Sequence, residues 1–404
     1  MISVEEARER LLAPLRPLGA EYVALSDAVG RVLAEDVASR RTQPPFAVSA
    51  MDGYAVHSAD VAAVPARLKV VGSIPAGQAY AGTLGRGEAV RIFTGAPLPG
   101  GADAIVIQED TDRDGSIVIV REAAPAGHYV RPAGLDFRDG VVELHAGRRL
   151  TARDIGLAAA MNRPWLLVHR RPRIAILPTG DEVVMPGDPV GPNQIVSSNG
   201  PALAALVGQC GGIPVLLPIA PDEADGLQRI AAAAVGADFL VTTGGASVGE
   251  HDLVRDALGA SGLVLDFWKI AMRPGKPLMV GRYRDTPMMG IPGNPVSSLV
   301  CGLLFLKPAI ERLLGLPDPG PGEMEARLAV PLAANDRRQD YLRAKLSRAG
   351  DGTLEVCPFP QQDSSMMSLL AKSDCLVIRP PHASAAAIGE TVRIMPLSGG
   401  PYLI

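Results

Sequence analysis

The amino-acid sequence predicts a multidomain protein of mixed α/β and β class. Strands alternate with helices between residues 173 and 317, a rhythm that is typical of a doubly wound α/β domain. Short β-rich runs separated by Gly and Pro turns fill residues 47–136 and 318–404, which predicts two small β modules. The remaining segments mix helical and irregular patterns. We therefore expect a split helical-mixed domain, 1–46 with 137–172, into which the first β module is inserted.

Length and composition support this organisation and exclude several classes of protein. The 404 residues correspond to two to four domains at about 100–200 residues each. Apolar residues make up 47% of the chain, which is enough for buried cores and too much for a disordered chain. The formal net charge is −4 and only 4% of the residues are aromatic, so a nucleic-acid-binding platform is not expected.

A membrane span, a signal peptide and a zinc site are not expected either. The longest apolar stretch, 296–306, is too short for a membrane helix and contains two serines. The acidic start of the chain, Met1 to Glu6, is unlike a signal peptide. Four scattered cysteines without a CxxC pair indicate reduced thiols in a cytoplasmic protein. Six dispersed histidines without an HExxH pattern give no support for zinc.

The first 172 residues predict three helices and four strands. Val4, Ala7, Leu11 and Leu12 fall at helical spacing after Ser3, which is expected to be the N-cap of the first helix. Further helices are expected at 26–33 and 152–161, and strands at 68–71, 89–92, 104–107 and 117–120.

The α/β domain is expected over residues 173–317, with its ligand site at the carboxyl ends of its strands. Its strands are predicted at 174–177, 213–219, 239–241, 277–280 and 287–291. Its helices are predicted at 201–209, at 222–235 with Asp222 as N-cap, at 253–258 and from about Val296 onward. A Pro- and Gly-rich linker follows, and the C-terminal β module then has strands predicted at 327–330, 344–346, 375–378 and 391–394.

A glycine-rich run from Gly244 to Asp252 is the strongest local signal for chemistry. It follows a predicted strand and opens a helix, and such a turn lets backbone N–H groups approach an anion. Asp252 would be well placed to hold Mg²⁺ against phosphate oxygens. The alternative is an ordinary glycine-rich turn in which Asp252 caps the helix.

A cationic loop lies between Trp268 and Pro277. It contains Lys269, Arg273 and Lys276, and the intervening Pro-Gly pair excludes a regular helix. Three cations on one loop can neutralise a polyanion. A solvated basic loop is the alternative.

Two further loops follow predicted strands. The run 290–298 presents a helix N-terminus with hydroxyls, which fits an anion or simple serine capping. Glu182, in the run 177–182, is a candidate metal ligand or acid/base group, unless the turn is only a solvated acidic one. The segment 197–199 caps a helix or binds a ligand.

Because all four loops follow strands of one α/β unit, we expect them at one edge of the sheet. Together they suit a phosphate ester or anhydride with a divalent metal.

Six sequence motifs resemble those of one family and run in the family's order over nearly the whole chain. They are Ser-Ala-Met-Asp-Gly-Tyr-Ala-Val at 49–56, Arg-Ile-Phe-Thr-Gly-Ala-Pro at 91–97, Thr-Gly-Asp-Glu at 179–182, the glycine-rich run 244–252, Pro-Gly-Lys-Pro at 274–277 and Pro-Gly-Asn-Pro-Val-Ser at 292–297. The chain resembles the MoeA family of molybdopterin molybdenumtransferases, and it is similar to the C-terminal region of gephyrin. The resemblance implies that the α/β domain is a three-layer α/β/α molybdopterin-binding domain.

The resemblance also implies a reaction and its residues. The family takes adenylylated molybdopterin and molybdate, cleaves the phosphoanhydride with the help of Mg²⁺, inserts molybdenum at the dithiolene and releases AMP. Asp252, Glu182 and Asp222 match acids needed for activity, and the first two are the implied metal ligands. The implied substrate-binding residues are Asp52, Thr94, Arg131, Asp136, Ser247, Lys269, Arg273, Lys276, Pro292, Asn294, Pro295 and Ser297.

Further expectations concern partners. The family is homodimeric, with its cleft between the α/β domain of one subunit and the β module of the other. A separate adenylyltransferase is the expected substrate donor, and molybdoenzymes or their chaperones are the expected acceptors. Two alternative functions are weighed. An adenylyltransferase is disfavoured because such enzymes are single short domains, and a non-catalytic dimeric scaffold is disfavoured because Asp252, Glu182 and Lys276 are present.

One residue departs from the family's motif. Arg273 stands where relatives commonly carry a lysine, and its planar guanidinium would bind an oxyanion with a different geometry.

Overall fold

A computed structural model describes residues 1–75, 77–244, 253–317 and 322–397. The chain divides into two compact units. Unit 1 comprises Met1–Glu35, Gly147–Ala152 and Leu167–Ile404, and unit 2 comprises Asp36–Ala146 and Arg153–Leu166. The four-domain division expected from the sequence stays a prediction.

The helices and strands up to residue 169 are, in chain order, α1 (Val4–Leu12), β1 (Ala20–Ala24), β2 (Val37–Ala38), β3 (Val48–Ser49), β4 (Gly53–Val56), β5 (Ala66–Ile74), β6 (Glu88–Ile92), β7 (Ala104–Ile107), β8 (Thr111–Asp114), β9 (Ile117–Val120), β10 (Val130–Arg131), β11 (Val142–Leu144), α2 (Ala152–Ala160) and β12 (Trp165–His169). Those up to residue 313 are β13 (Arg173–Pro178), β14 (Val183–Val184), β15 (Ile195–Val196), α3 (Asn199–Gln209), β16 (Ile213–Leu216), α4 (Ala224–Ala231), β17 (Phe239–Thr243), α5 (Leu253–Ala260), β18 (Leu263–Trp268), β19 (Met272–Arg273), β20 (Met279–Tyr283), β21 (Thr286–Ile291), α6 (Pro295–Cys301) and α7 (Lys307–Leu313). The C-terminal elements are β22 (Met324–Leu328), β23 (Gln339–Arg348), β24 (Leu354–Pro358), α8 (Met367–Ala371), β25 (Cys375–Arg379) and β26 (Thr391–Pro396).

The first helix confirms its sequence pattern, but the expected second helix is wrong. In α1 the Ser3 hydroxyl accepts a hydrogen bond from the Glu6 backbone at 3.0 Å, and the four apolar residues of the pattern are buried. Between residues 26 and 33 only one 3₁₀ turn forms, at Leu25–Asp27. Gly30 then adopts a φ of +77°, and its N–H bonds to the Leu150 carbonyl rather than to a helical partner.

Unit 2 is built on a six-stranded sheet with the order β7-β4-β6-β5-β9-β8. All four strands predicted for this region are present. The sheet has buried apolar side chains in two clusters, one around Tyr54 and Val56 and the other around Ala55 and Ile105. At Gly53 the partner strand approaches so closely that a Cβ would overlap the Val106 carbonyl, which requires glycine immediately after Asp52.

The centre of unit 1 is the α/β domain expected from the sequence. Its sheet has the order β16-β13-β17-β21-β20-β18, with parallel pairing from β16 to β21 and antiparallel pairing of β20 with both neighbours. Ile174 and Ile176 pack on the side of α1, α3, α6 and α7, whereas Ala175 and Leu177 pack on the side of α4 and α5. The three-layer α/β/α arrangement is confirmed. Strand β18 is an addition to the strands expected from the sequence.

Asp222 is not the cap of the following helix, so that expectation is wrong. Helix α4 begins two residues later, at Ala224, and the residue at its N-cap position is Glu223. The Asp222 backbone N–H instead donates to the Asp181 carboxylate at 3.0 Å. Asp222 therefore lies in the segment between β16 and α4, where its backbone is bonded to the acidic loop that follows β13.

The C-terminal part of unit 1 is a second six-stranded sheet. Its order is β19-β23-β24-β22-β26-β25, and a further pairing of β23 with β25 curls it towards a barrel. The four strands predicted here are present. Because β19 lies within the cationic loop and pairs with β23, that loop is joined to this sheet by backbone hydrogen bonds.

The four cysteines are free, and three of them are buried. Burial raises the pKa of Cys301 to about 12, so this thiol stays protonated at neutral pH. Within the described ranges, no helix has the length and apolar character needed to span a membrane.

Candidate active site

Three parallel strands of the α/β sheet end in register. Pro178 of β13 pairs with Thr243 of β17, and Thr243 is also opposite Ile291 of β21. Strand β18 runs in the same direction, because it and β21 both pair antiparallel with β20. The expectation that the four loops emerge at one edge is therefore confirmed where the loops are described.

A cavity of about 700 Å³ lies at this edge. Its walls come from the ends of β13, β17 and β21, from β14 and β15, from the start of α3 and from one C-terminal residue, Ser365. Of the predicted site residues, Glu182, Pro292, Asn294 and Pro295 line it. A concave site at the carboxyl ends of parallel strands is where open α/β sheets bind their ligands.

Asn199 holds two of these walls together. Its side-chain amide donates to the Thr243 hydroxyl at 3.0 Å and to the Gly293 carbonyl at 2.7 Å. The first bond fixes the end of β17 and the second fixes the loop that precedes α6. One amide therefore sets the spacing between two strand-end loops.

The segment 362–365, which supplies Ser365 to the cavity wall, is held in place by a buried arginine. Arg343 of β23 is only 1% exposed. Its Nε donates to the Gln362 side-chain oxygen at 3.1 Å, and its Nη1 donates to the Asp363 carbonyl at 2.6 Å. Burial lowers the pKa of Arg343, because the surrounding sheet disfavours the charged form.

The same segment contacts the loop before α6. The Asn294 amide donates to the Ser364 hydroxyl at 3.0 Å, and the Val296 N–H donates to the Ser364 carbonyl at 3.1 Å. The Asp363 carboxylate accepts bonds from the Ser365 N–H and hydroxyl at 2.8 and 2.6 Å. A continuous set of hydrogen bonds therefore runs from the C-terminal sheet to the cavity.

Glu182 is the one charged side chain on the cavity wall among the residues that the structure describes. Asp181 and Asp222 lie beside it but outside the lining. Partial burial raises the pKa of Asp222, and the charges of Asp181 and Glu182 raise it further. These oxygen donors suit Mg²⁺ in kind, although no cluster of three metal-ligating side chains occurs within the described ranges.

Replacement of Asp222 by asparagine is expected to stabilise the fold slightly at neutral pH. A carboxyl whose pKa is raised by folding destabilises the folded state once ionised, and this penalty disappears as the pH falls towards its unfolded value of 3.8. The gain stays below about 1 kcal/mol because the carboxylate is exposed. Thermal unfolding at pH 7.5 and at pH 3.5, below the unfolded value, tests this, with Asp225→Asn as the control. An equal gain at both pH values, or the same gain in the control, would contradict it.

The cationic loop does not place its charges on the cavity wall in the described part of the chain, although Pro277 contributes to the lining. Arg273 forms an ion pair with the buried Asp340, and Asp336 lies 3.6 Å away. The Lys269 ammonium lies 3.9 Å from the centre of the Trp268 ring. Lys276 is half-buried. Arg273 is thus bound to acids of the C-terminal sheet, which the sequence pattern did not indicate.

The other predicted residues have different settings. Ser297 is 4% exposed and lies outside the cavity lining, and Ser247 and Asp252 lie outside the described residues. In unit 2 the Asp52 carboxylate accepts bonds from the Thr94 N–H and hydroxyl, both at 2.7 Å, which lower the pKa of Asp52. Arg131 is exposed on β10, and Asp136 is exposed with its N–H bonded to the Gln43 carbonyl at 3.0 Å.

Sequence reasoning missed several residues that shape the cavity. Val183, Ile195 and Val196 line it, and so does Ser365. Two adjacent β-branched residues before the Ser-Ser-Asn run at 197–199 were the available signal for the first group. Arg343 had no local signal, because a single arginine among alternating apolar residues looks like a solvent-facing residue.

Comparisons with known proteins agree with this architecture. A family model described as "Probable molybdopterin binding domain" matches residues 175–312, the part that supplies the described cavity lining apart from Ser365. Models described as "MoeA N-terminal region (domain I and II)" and "MoeA C-terminal region (domain IV)" match residues 2–162 and 325–397. The α/β domain with its strand-end cavity thus falls in the class of molybdopterin-binding domains.

Full-length relatives identify the family. Molybdopterin molybdenumtransferase 2 of Mycobacterium tuberculosis is 36% identical, with 98% of this chain and all of the relative covered. Molybdopterin molybdenumtransferase of Nostoc sp. is 38% identical over 93% of this chain and 88% of the relative. A crystal structure of a molybdopterin biosynthesis MoeA protein from Pyrococcus horikoshii superposes with a TM-score of 0.85, at 32% identity, over 99% of this chain and all of that one. The chain belongs to the MoeA family.

Proposed function

We propose that the chain catalyses molybdenum insertion in molybdenum cofactor biosynthesis. Its substrates are molybdate and adenylylated molybdopterin, and its products are the molybdenum cofactor and AMP. The observation that carries this proposal is the cavity at the strand ends, most of whose lining lies in the part of the chain matched by a molybdopterin-binding domain model. Relatives of matching length that are named molybdopterin molybdenumtransferases supply the reaction type.

The acids carry the chemistry in this proposal. The Glu182 carboxylate reaches the cavity and accepts a proton from the water that cleaves the phosphoanhydride. Asp252 and Asp222 are the further catalytic acids, as the motifs imply. Glu182 and Asp252 are the residues that would hold Mg²⁺, since both offer oxygen ligands. When bound, Mg²⁺ would neutralise the negative charge that develops on the phosphate oxygens as the phosphoanhydride is cleaved.

The remaining predicted residues bind the substrates. Pro292, Asn294 and Pro295 shape the loop at the cavity. The cations Lys269, Arg273 and Lys276 contact oxyanions, as do the hydroxyls of Ser247 and Ser297. In unit 2 the Asp52–Thr94 pair, Arg131 and Asp136 form the other substrate-binding set.

The proposed cellular setting follows from the same reaction. The chain acts as a homodimer in the cytoplasm. It receives adenylylated molybdopterin from a separate adenylyltransferase. Molybdoenzymes or their chaperones accept the product.

AMP release from adenylylated molybdopterin tests the proposal. The purified protein is expected to release AMP only when both molybdate and Mg²⁺ are present, and a chelator should stop the release. Asp252→Ala should reduce the rate to background. Equal AMP release by the wild type and by Asp252→Ala would contradict the proposed enzyme and favour a non-catalytic scaffold.

A further inference from the structure

The small parallel pair β14–β15 presents aliphatic side chains to the cavity. Val183 pairs with Ile195, and Val184 pairs with Val196. The Ile195 N–H donates to the Glu182 carbonyl and the Ser197 N–H donates to the Val184 carbonyl, both at 2.8 Å. These bonds fix the backbone of the pair. We call Val183, Ile195 and Val196, which all line the cavity, the apolar platform.

The apolar platform is exposed to solvent in this ligand-free chain. Ile195 is 59% exposed and Val196 is 46% exposed. Large aliphatic side chains that line a concave site and are exposed to water stabilise a complex when a ligand covers them, because their apolar surface is then removed from water. Val190, in the segment between the two strands, is 51% exposed but lies outside the lining. Exposure combined with a cavity position therefore separates the apolar platform from an ordinary exposed valine.

The surroundings of the apolar platform select an uncharged group. No Lys or Arg lines the cavity within the described ranges, and the one charged side chain there is the carboxylate of Glu182. The three platform side chains offer neither a charge nor a hydrogen-bond donor, so contact with them favours the apolar face of a ring over a phosphate or molybdate oxyanion. The polar groups nearby are the hydroxyls of Ser197 and Ser198 and the side-chain oxygen of Asn199, whose NH₂ group is already bonded to Thr243 and Gly293. These groups hydrogen-bond to ring nitrogens and carbonyls.

We propose that the apolar platform packs against the pterin ring of the substrate and sets the affinity for that part of the molecule. This inference rests on the proposed function, because molybdopterin is the ligand that brings such a ring to the cavity. The phosphate and molybdate ends of the substrate extend past the platform, towards Glu182 at its edge and towards the cations of the proposed substrate-binding set. Val196 and Ile195 are then binding residues that act on substrate affinity rather than on bond cleavage.

Binding of metal-free molybdopterin tests the inference without turnover. Val196→Thr keeps the shape of the side chain and replaces a methyl group by a hydroxyl, which disfavours contact with a ring. It is expected to raise the Kd for molybdopterin about 10-fold, the size of effect typical of one apolar group in a pocket. Val190→Thr is the matched control and should leave the Kd unchanged. Val196→Ile should retain tight binding.

Two further measurements make the test specific. The Kd for AMP should be the same in wild type and in Val196→Thr, because AMP contains no pterin. Sedimentation should show the same oligomeric state for all variants. The inference is overturned if Val196→Thr and Val190→Thr bind molybdopterin equally well. It is also overturned if Val196→Thr raises the Kd for AMP by the same factor as the Kd for molybdopterin. It is also overturned if Val196→Thr dissociates an oligomer, since a second copy of the chain would then cover the platform. A wild type that binds molybdopterin but inserts no molybdenum would refute the proposed function instead.

Discussion

Replacement of Glu182 by glutamine is expected to lower the rate of AMP release about 10²–10⁴-fold. Glutamine has nearly the same shape as glutamate, so the cavity should keep its form. The glutamine amide is uncharged, so it neither accepts a proton from water nor supplies the negatively charged oxygen ligand that a divalent cation prefers. The loss should fall on kcat, with the Kd for molybdopterin nearly unchanged. Single-turnover measurement of AMP under saturating substrate separates these two quantities.

Asp181→Asn is the matched control for this prediction. Asp181 is the neighbouring acid, it lies outside the cavity lining, and an asparagine oxygen can still accept the bond from the Asp222 N–H. The control should retain a rate within a few-fold of wild type. A Glu182→Gln rate equal to that of Asp181→Asn would show that the Glu182 carboxylate takes no part in the reaction.

Replacement of Arg343 by methionine is expected to cost about 2–4 kcal/mol of unfolding free energy. Methionine fills much of the buried space but donates no hydrogen bonds, which leaves the Asp363 carbonyl without its donor. The effect should reach the cavity, since segment 362–365 contacts Asn294 through Ser364 and supplies Ser365 to the lining. We expect kcat/KM for adenylylated molybdopterin to fall about 100-fold, as small displacements in an active site can cause.

Arg348→Met tests whether the position rather than the charge matters. Arg348 lies on the same strand but is exposed, and its contact is one bond to the Gly352 carbonyl at 3.0 Å. Its replacement should change the unfolding free energy by less than about 0.5 kcal/mol. Urea unfolding and AMP release report the two effects. An Arg343→Met protein with wild-type kcat/KM would contradict the role of segment 362–365 in the cavity wall.

The sequence was a good guide to the elements whose patterns are local. The buried run 174–177 and the alternation of strands with helices predicted the α/β sheet, and the strand-end rule predicted the edge that holds the cavity. Local rules failed where a distant segment competes for the backbone. The expected helix at 26–33 is replaced by bonds to residues 148–150. The backbone of Asp222 is bonded to Asp181, and α4 begins only at Ala224.

The parts of the site that the sequence could not predict depend on pairs far apart in the chain. Arg273 reads as a free cation until Asp340, 67 positions away, is seen to bind it. Arg343 reads as a surface residue until its bonds to Gln362 and Asp363 are known. Spacing and composition carry no information on such contacts, since each residue alone has an ordinary solvated alternative.

The amount of molybdenum bound to the pterin product, measured per AMP released in a single turnover, tests the proposed reaction most directly. With molybdate and Mg²⁺ present, one molybdenum per released AMP is expected. Omission of molybdate should reduce AMP and molybdenum-containing product together. AMP release that continues without molybdate, or with no molybdenum on the pterin, would contradict molybdenum insertion by this protein.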